Sequence, residues 1–146
     1  MGKIAGIDLG TTFSALSILN ENGKAEIVKN FDGDYLTPSV VAFPSDDEGK
    51  ARVGEEAKQH LALEPDRVIK EVKRDMGTDA KYEVAGKEHT PEGISSMILS
   101  KLVQDAEKQH GKIDDVVVTI PANFDDEARQ ATETAIKEAG LNFKDI

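Results

Sequence analysis

Asp8 stands near the end of an apolar run, Ile4-Ala5-Gly6-Ile7-Asp8-Leu9, and Gly10-Thr11-Thr12 follows before a second apolar run opens at Phe13. Burying an unpaired charge is expensive, so an acid that ends an apolar strand calls for a partner. The Gly-Thr-Thr turn offers consecutive backbone N–H groups and two hydroxyls. Glycine lets a ligand approach the backbone closely, and successive N–H groups form a concave anion nest. One carboxylate suits Mg2+, which keeps several of its waters and takes few protein ligands. The chemistry this spacing offers is a polyphosphate held together with Mg2+. Taken alone, the same turn also fits an ordinary strand-to-strand connection, with Thr capping its own loop and Asp8 solvated.

The elements that must position these residues are legible from periodicity. Residues 4–9 and 13–19 predict a hairpin with the Gly-Thr-Thr turn at its tip. Asn22-Gly23 predicts a two-residue turn into a third antiparallel strand over 25–29. A short strand over 39–43 stops at Pro44, a short helix opens at Gly54 and reaches about Leu63, and a basic, apolar-studded segment over 68–77 closes at Gly77. Residues 82–87 predict a further strand and turn. Thr90 then caps a helix with Pro91 at its first position and Glu92 in its first turn. Its core stripe is Ile94, Met97, Ile98 and Leu102, and Gly111 ends it.

The unbroken apolar run 116–120 predicts a strand covered on both faces and ended by Pro121. Asp125 or Asp126 caps a last helix whose Ala128, Ala131, Ala135 and Ala139 form a face small enough to approach a sheet closely. Gly140-Leu141 gives that helix a Schellman-type ending. The order β-β-β, insertion, α-β-α predicts an α/β domain with a mixed sheet. Residues 39–86 form the insertion, an α+β subdomain, between the segments 1–38 and 87–146.

Composition narrows the partners. The chain has 146 residues, enough for one domain with a real core, and 32% charged against 38% apolar residues with no low-complexity tract predict that it folds. A net charge of −10 argues against nucleic acid and acidic membranes, both of which need basic patches. There are no cysteines, which removes disulfides and thiolate metal sites and fits a reducing, cytoplasmic setting. The start Met1-Gly2-Lys3-Ile4 carries no long apolar segment. His60, His89 and His110 are scattered and read as structural or surface residues rather than metal ligands. Neither a Walker-type Gly-x-x-x-x-Gly-Lys-Ser/Thr nor a Gly-x-Gly-x-x-Gly occurs, so the hairpin must do any phosphate work.

Four motifs, in order along the chain, carry a resemblance. They are Gly6-Ile7-Asp8-Leu9-Gly10-Thr11-Thr12-Phe13-Ser14, Thr37-Pro38-Ser39-Val40-Val41-Ala42-Phe43, Val72-Lys73-Arg74, and Thr119-Ile120-Pro121-Ala122-Asn123-Phe124, continued by Asp126, Arg129, Gln130, Ala131 and Thr132. With them the sequence resembles the seventy-kilodalton heat-shock chaperones of the DnaK type, within the actin-like ATPase superfamily. The fold this implies is a ribonuclease H-like, actin-like ATPase lobe: a mixed sheet with flanking helices and the inserted α+β subdomain.

For the site, the resemblance implies that Gly10, Thr11 and Thr12 hold the phosphates of ATP or ADP, with Asp8 acting on hydrated Mg2+. It implies that Lys73 neutralises the γ-phosphate and positions the attacking water, so that Lys73 and Asp8 form the catalytic pair. That fits phosphoryl transfer, where positioning and charge stabilisation supply most of the rate. Pro121 and Arg129 would relay nucleotide state to a peptide-binding domain. By residue type alone, Lys73 is a basic residue beside Lys70 and Arg74, Pro121 a strand terminator and Arg129 a helix-surface arginine. Asn123 stands where the family usually has tyrosine, and Asp125 where it commonly has asparagine, which loosens the match around Pro121.

The partners implied are unfolded peptide clients, a J-domain co-chaperone and a nucleotide exchange factor. The resemblance stops at the first lobe of the nucleotide-binding domain, so a truncated chain with weak or undetectable ATP binding and no meaningful turnover is expected. The sheet's last strand and its packing helix are expected beyond Asp145-Ile146, leaving an unpaired edge beside residues 116–120 and a route to self-association or strand exchange. Two other classes stand beside this one: an actin-like filament-forming scaffold, and a half-domain that contacts proteins without nucleotide.

Overall fold

Alternation in the first two strands decides which way the sheet faces. In the computed structural model, residues 3–20, 22–46, 50–119 and 124–144 are described. Strand β1 (Lys3–Leu9) buries Ala5, Ile7 and Leu9, and β2 (Phe13–Leu19) buries Ser14, Leu16 and Ile18. This is the period of two that puts alternate side chains on opposite faces. The two strands pair antiparallel from Ala5↔Ile18 to Leu9↔Ser14, which leaves residues 10–12 at the tip.

The remaining strands are β3 (Ala25–Ile27), β4 (Thr37–Pro38), β5 (Val40–Ala42), β6 (Arg52–Val53), β7 (Val68–Lys70), β8 (Tyr82–Val84), β9 (Lys87–His89), β10 (Ile113–Val118) and β11 (Asn142–Phe143). The main sheet runs β11-β10-β1-β2-β3, with β4 also paired to β2. Strands β1 and β10 are parallel while β1 and β2 are antiparallel, so the sheet is mixed. A second sheet has the order β6-β5-β7, and β8 and β9 make a separate hairpin.

Helices α1 (Glu55–His60), α2 (Pro91–His110) and α3 (Asp126–Glu138) complete the fold. Helix α2 starts as its sequence dictates: the Gly93 N–H donates to Thr90 Oγ1 at 3.0 Å, and Pro91 fills the first position. Ile94, Ile98 and Leu99 on this helix are fully buried, each stabilising by about 1.5–3 kcal/mol. Among the described residues no helix is long and apolar enough to cross a membrane.

Three expectations change. The strand expected over 116–120 begins at Ile113 and ends at Val118. It buries Val116 and Val118 on the helix side, but Asp115 and Val117 on the other side stay half-buried. Ile120 and Pro121 lie outside the described residues. Helix α3 lies against α2 as well as against β11 of the sheet, and Ala128 at its start lies against Gly77. The edge of β10 is not bare: β11 pairs with it in parallel, Asp115↔Asn142 and Val116↔Phe143, and the Lys144 N–H donates to the Val116 carbonyl at 2.9 Å. The cause lies in the end of α3. Leu141 N–H donates to Ile136 O and Gly140 N–H to Lys137 O, the Schellman pair, and Gly140 at φ 75° turns the chain straight back along β10. Strand β11 thus starts at Asn142, ahead of the strand expected beyond Ile146, and covers the edge of β10 at Asp115 and Val116.

Candidate phosphate-binding site

The register of β1 places Asp8 opposite Ala15, on the face away from the helices, and its side chain is exposed. Gly10, Thr11 and Thr12 form the turn. A Cβ on Gly10 would stand 2.1 Å from the Phe13 carbonyl oxygen, so the turn closes only with glycine there. Among the described residues, no backbone carbonyl or side chain accepts from the N–H of Gly10, Thr11 or Thr12. Three successive unclaimed donors at a strand end are what an anion nest requires.

The far side of the turn is pinned. Ser39 N–H donates to the Thr12 carbonyl at 2.9 Å, and the Ser39 and Ser14 hydroxyls hydrogen-bond at 2.8 Å with both side chains buried. Thr11 and Thr12 share a cleft of about 200 Å3 with Phe13, Lys58, Lys70 and Glu71. The Lys58 ammonium lies 5.4 Å from the centroid of the Phe13 ring.

Strand β10 ends beside Asp8. Ile7 pairs with Val118, and the Thr119 N–H donates to the Ile7 carbonyl at 2.9 Å. Lys73 approaches from the second sheet. After β7, Glu71 adopts the left-handed conformation (φ 59°, ψ 29°) and opens a 3-10 turn over Val72–Asp75. Val72 and Met76 are buried in the main core, and Gly77 lies against the backbone of Glu127 and Ala128 at the start of α3. The Lys73 ammonium lies 5.7 Å from the centroid of the Phe124 ring, a cation–π contact just ahead of α3.

Asp8, Gly10, Thr11 and Thr12 therefore occupy one end of the main sheet, and Lys73 stands beside Phe124 ahead of α3. Among the described residues no hydrogen bond or ion pair joins Lys73 to Asp8, Thr11 or Thr12. Arg129 is exposed on the first turns of α3, and its backbone N–H donates to the Asp125 carbonyl. Pro121 and Asn123 lie outside the described residues. Asp125 caps α3 by accepting from the Ala128 N–H at 2.8 Å, a role asparagine fills equally well.

Residue type alone does not mark Ser14, Ser39, Phe124 and Glu71 as contributors. Ser14 had a visible signal, since it falls in step with Leu16 and Ile18 on the buried face. Glu71 had none, because nothing about a glutamate announces a positive φ.

The donor set fits a hydrated Mg2+ with a polyphosphate. It offers one exposed carboxylate, two hydroxyls and three N–H groups that no described residue claims. Among the described residues no group of three or more His, Asp or Glu side chains could enclose a bare cation.

The mixed sheet, with this turn at the end of its first strand and its helices, is consistent with the nucleotide-binding α/β domains of the actin-like ATPase class. The family model described as Hsp70 protein matches residues 4–83 and 78–146, nearly the whole sequence, and the chain belongs to that family. The two matched segments meet over residues 78–83, where the chain leaves the Lys73 turn and enters β8. The family comprises chaperones that bind ATP or ADP with Mg2+ and act on peptide clients with co-chaperones.

Proposed function

We propose that this chain holds the phosphates of Mg-bound ATP or ADP on the Gly10-Thr11-Thr12 turn, as part of a DnaK-type chaperone ATPase. The observation that carries this reading is the run of three N–H groups that no described residue claims, with Asp8 on the exposed face of the strand leading into them. Asp8 orients waters of the hydrated ion, and the Thr11 and Thr12 hydroxyls donate to phosphate oxygens. When bound, Mg2+ spreads the charge of the phosphates. Lys73 supplies the cation that neutralises the terminal phosphate and fixes the attacking water, with Phe124 limiting where its ammonium can go.

The proposal extends to the nucleotide cycle. Pro121 and Arg129 pass the state of the site to a peptide-binding domain, a J-domain co-chaperone and a nucleotide exchange factor act on the cycle, and the setting is cytoplasmic. The division into 1–38 with 87–146, and an inserted 39–86, is likewise proposed. The main sheet supports the first unit and the β6-β5-β7 sheet the second, with the β8–β9 hairpin at the seam.

The described donors reach phosphate from one side only, so the affinity of this chain for Mg·ATP is expected in the millimolar range, about −4 kcal/mol. Titration of 15N-labelled chain with Mg·ATP, followed by amide shifts, tests it. Saturable shifts centred on Gly10, Thr11 and Thr12 support the reading. Shifts centred elsewhere, or none at about ten times the Kd expected from that energy, overturn it.

A further inference from the structure

We propose that Ser39 is a positioning residue that sets the spacing between the phosphate turn and Lys73. The inference rests on the phosphate reading of the turn. Ser39 lies between β4, which pairs with β2 in the main sheet, and β5, the central strand of the second sheet. Its N–H holds the Thr12 carbonyl, and its hydroxyl holds Ser14 Oγ, two residues further along the same hairpin. Both side chains are at most 2% exposed, so water does not replace the bond when it breaks.

The path continues directly to the lysine. Val40, next to Ser39, pairs with Lys70 across β5 and β7. Glu71 then reverses the chain in the left-handed conformation, Val72 enters the core and Lys73 follows. From the Thr12 carbonyl to Lys73 there is one hydrogen bond, one strand pair and one turn, with no intervening loop. A phosphoryl-transfer site depends on fixed distances between phosphate donors and the cation opposite. Ser39 is the point at which the two sheets are joined at the turn itself.

By linkage, a ligand that orders the turn must also tighten the clamp, and the reverse holds. In the unaltered chain, saturating Mg·ATP is expected to slow hydrogen exchange of the Ser39 amide. Ser39→Ala and Ser14→Ala each delete the hydroxyl pair and are expected to weaken Mg·ATP binding about three- to tenfold, the worth of one hydrogen bond. The double variant is expected to be no weaker than the worse single one. Val84→Ala, in β8, removes buried apolar atoms away from the turn and serves as a control for stability; it is expected to lower Tm and leave affinity unchanged.

Equal loss of affinity in Val84→Ala and Ser39→Ala, or unaltered affinity in both serine variants, overturns the inference. So does a Ser39 amide whose exchange is indifferent to Mg·ATP while the Gly10–Thr12 amides shift. If instead those amides never shift in the unaltered chain, it is the phosphate reading that fails. The clamp is then judged by the Ser39 amide alone, which must still exchange faster in Ser14→Ala.

Discussion

Gly10 faces the carbonyl of Phe13 so closely that a single added carbon would stand 2.1 Å from the oxygen. The contact partner is backbone, which cannot swing aside as a side chain would. Gly10→Ala must therefore open the turn, and opening it displaces the N–H groups of residues 10–12. A loss of about 2–3 kcal/mol in urea unfolding is expected, the upper part of the range for overpacking. The amide shifts caused by Mg·ATP should vanish together with it.

Glu71 is the second strained point. A left-handed backbone costs a non-glycine residue about 1–2 kcal/mol, and branching at Cβ makes it worse. Glu71→Val should destabilise the chain by about 1–2 kcal/mol and shift the amide of Lys73, whereas Glu71→Gly should be neutral or slightly stabilising. The Glu71–Arg74 ion pair at 3.2 Å is exposed on both sides and contributes little to either outcome. Equal melting temperatures for the valine and glycine variants would show that residue 71 carries no strain.

Much of this architecture was written into local chemistry. The caps of α2 and α3, the period-two strands β1 and β2, and the Schellman ending at Gly140 each follow from a few adjacent residues. Long-range placement was less legible. Nothing near Asn142 marks it as a strand, because β11 exists only through its pairing with β10. Asn22-Gly23 suggested a two-residue turn, yet Asn20 accepts from the N–H groups of both Asn22 and Lys24, and the loop widens around that side chain. At the site, the turn could be read directly from Gly10-Thr11-Thr12. The Ser14–Ser39 bond joins residues 25 positions apart and required the fold. So did the seat of Lys73 against Phe124.

Gly77 couples the Lys73 turn to α3. It sits at φ 81°, and a Cβ there would lie 2.6 Å from the Ala128 nitrogen. Backbone strain and overpacking add at this position, so Gly77→Ala should cost about 3 kcal/mol or more. Chemical denaturation measures the loss. A drop below 1 kcal/mol (about the effect of an ordinary substitution) would mean that the turn and α3 separate easily.

Glu64 gives the acid limb of stability. Hydrogen bonds from Ser45, followed by that from His60, hold its carboxyl at about 2, well below the usual 4.5. A depressed carboxylate favours the folded chain above the unfolded pKa, and the benefit is lost as pH falls from 4.5 through 2. Glu64→Gln should therefore be less stable than the unaltered chain at neutral pH, and the gap should close across that window. A gap independent of pH in urea titrations would show that the Glu64 charge is not what Ser45 and His60 hold.

His89 acts on the same side, at higher pH. Its ring stacks on Phe43 with centroids 4.5 Å apart, and burial first, then the Lys87 charge, push its pKa below 6.5. A base with a lowered pKa takes up its proton more readily when unfolded. Its stabilising contribution is thus complete above 6.5 and declines as pH falls through 6.5 toward the folded value. Other groups titrate over the same interval, so the informative quantity is a difference between two chains. His89→Phe retains a ring against Phe43 but carries no proton. The melting temperature of the unaltered chain should fall relative to that of His89→Phe as pH drops below 6.5, and the two curves should run parallel above it. Parallel curves throughout would place the His89 ring in water in the folded chain.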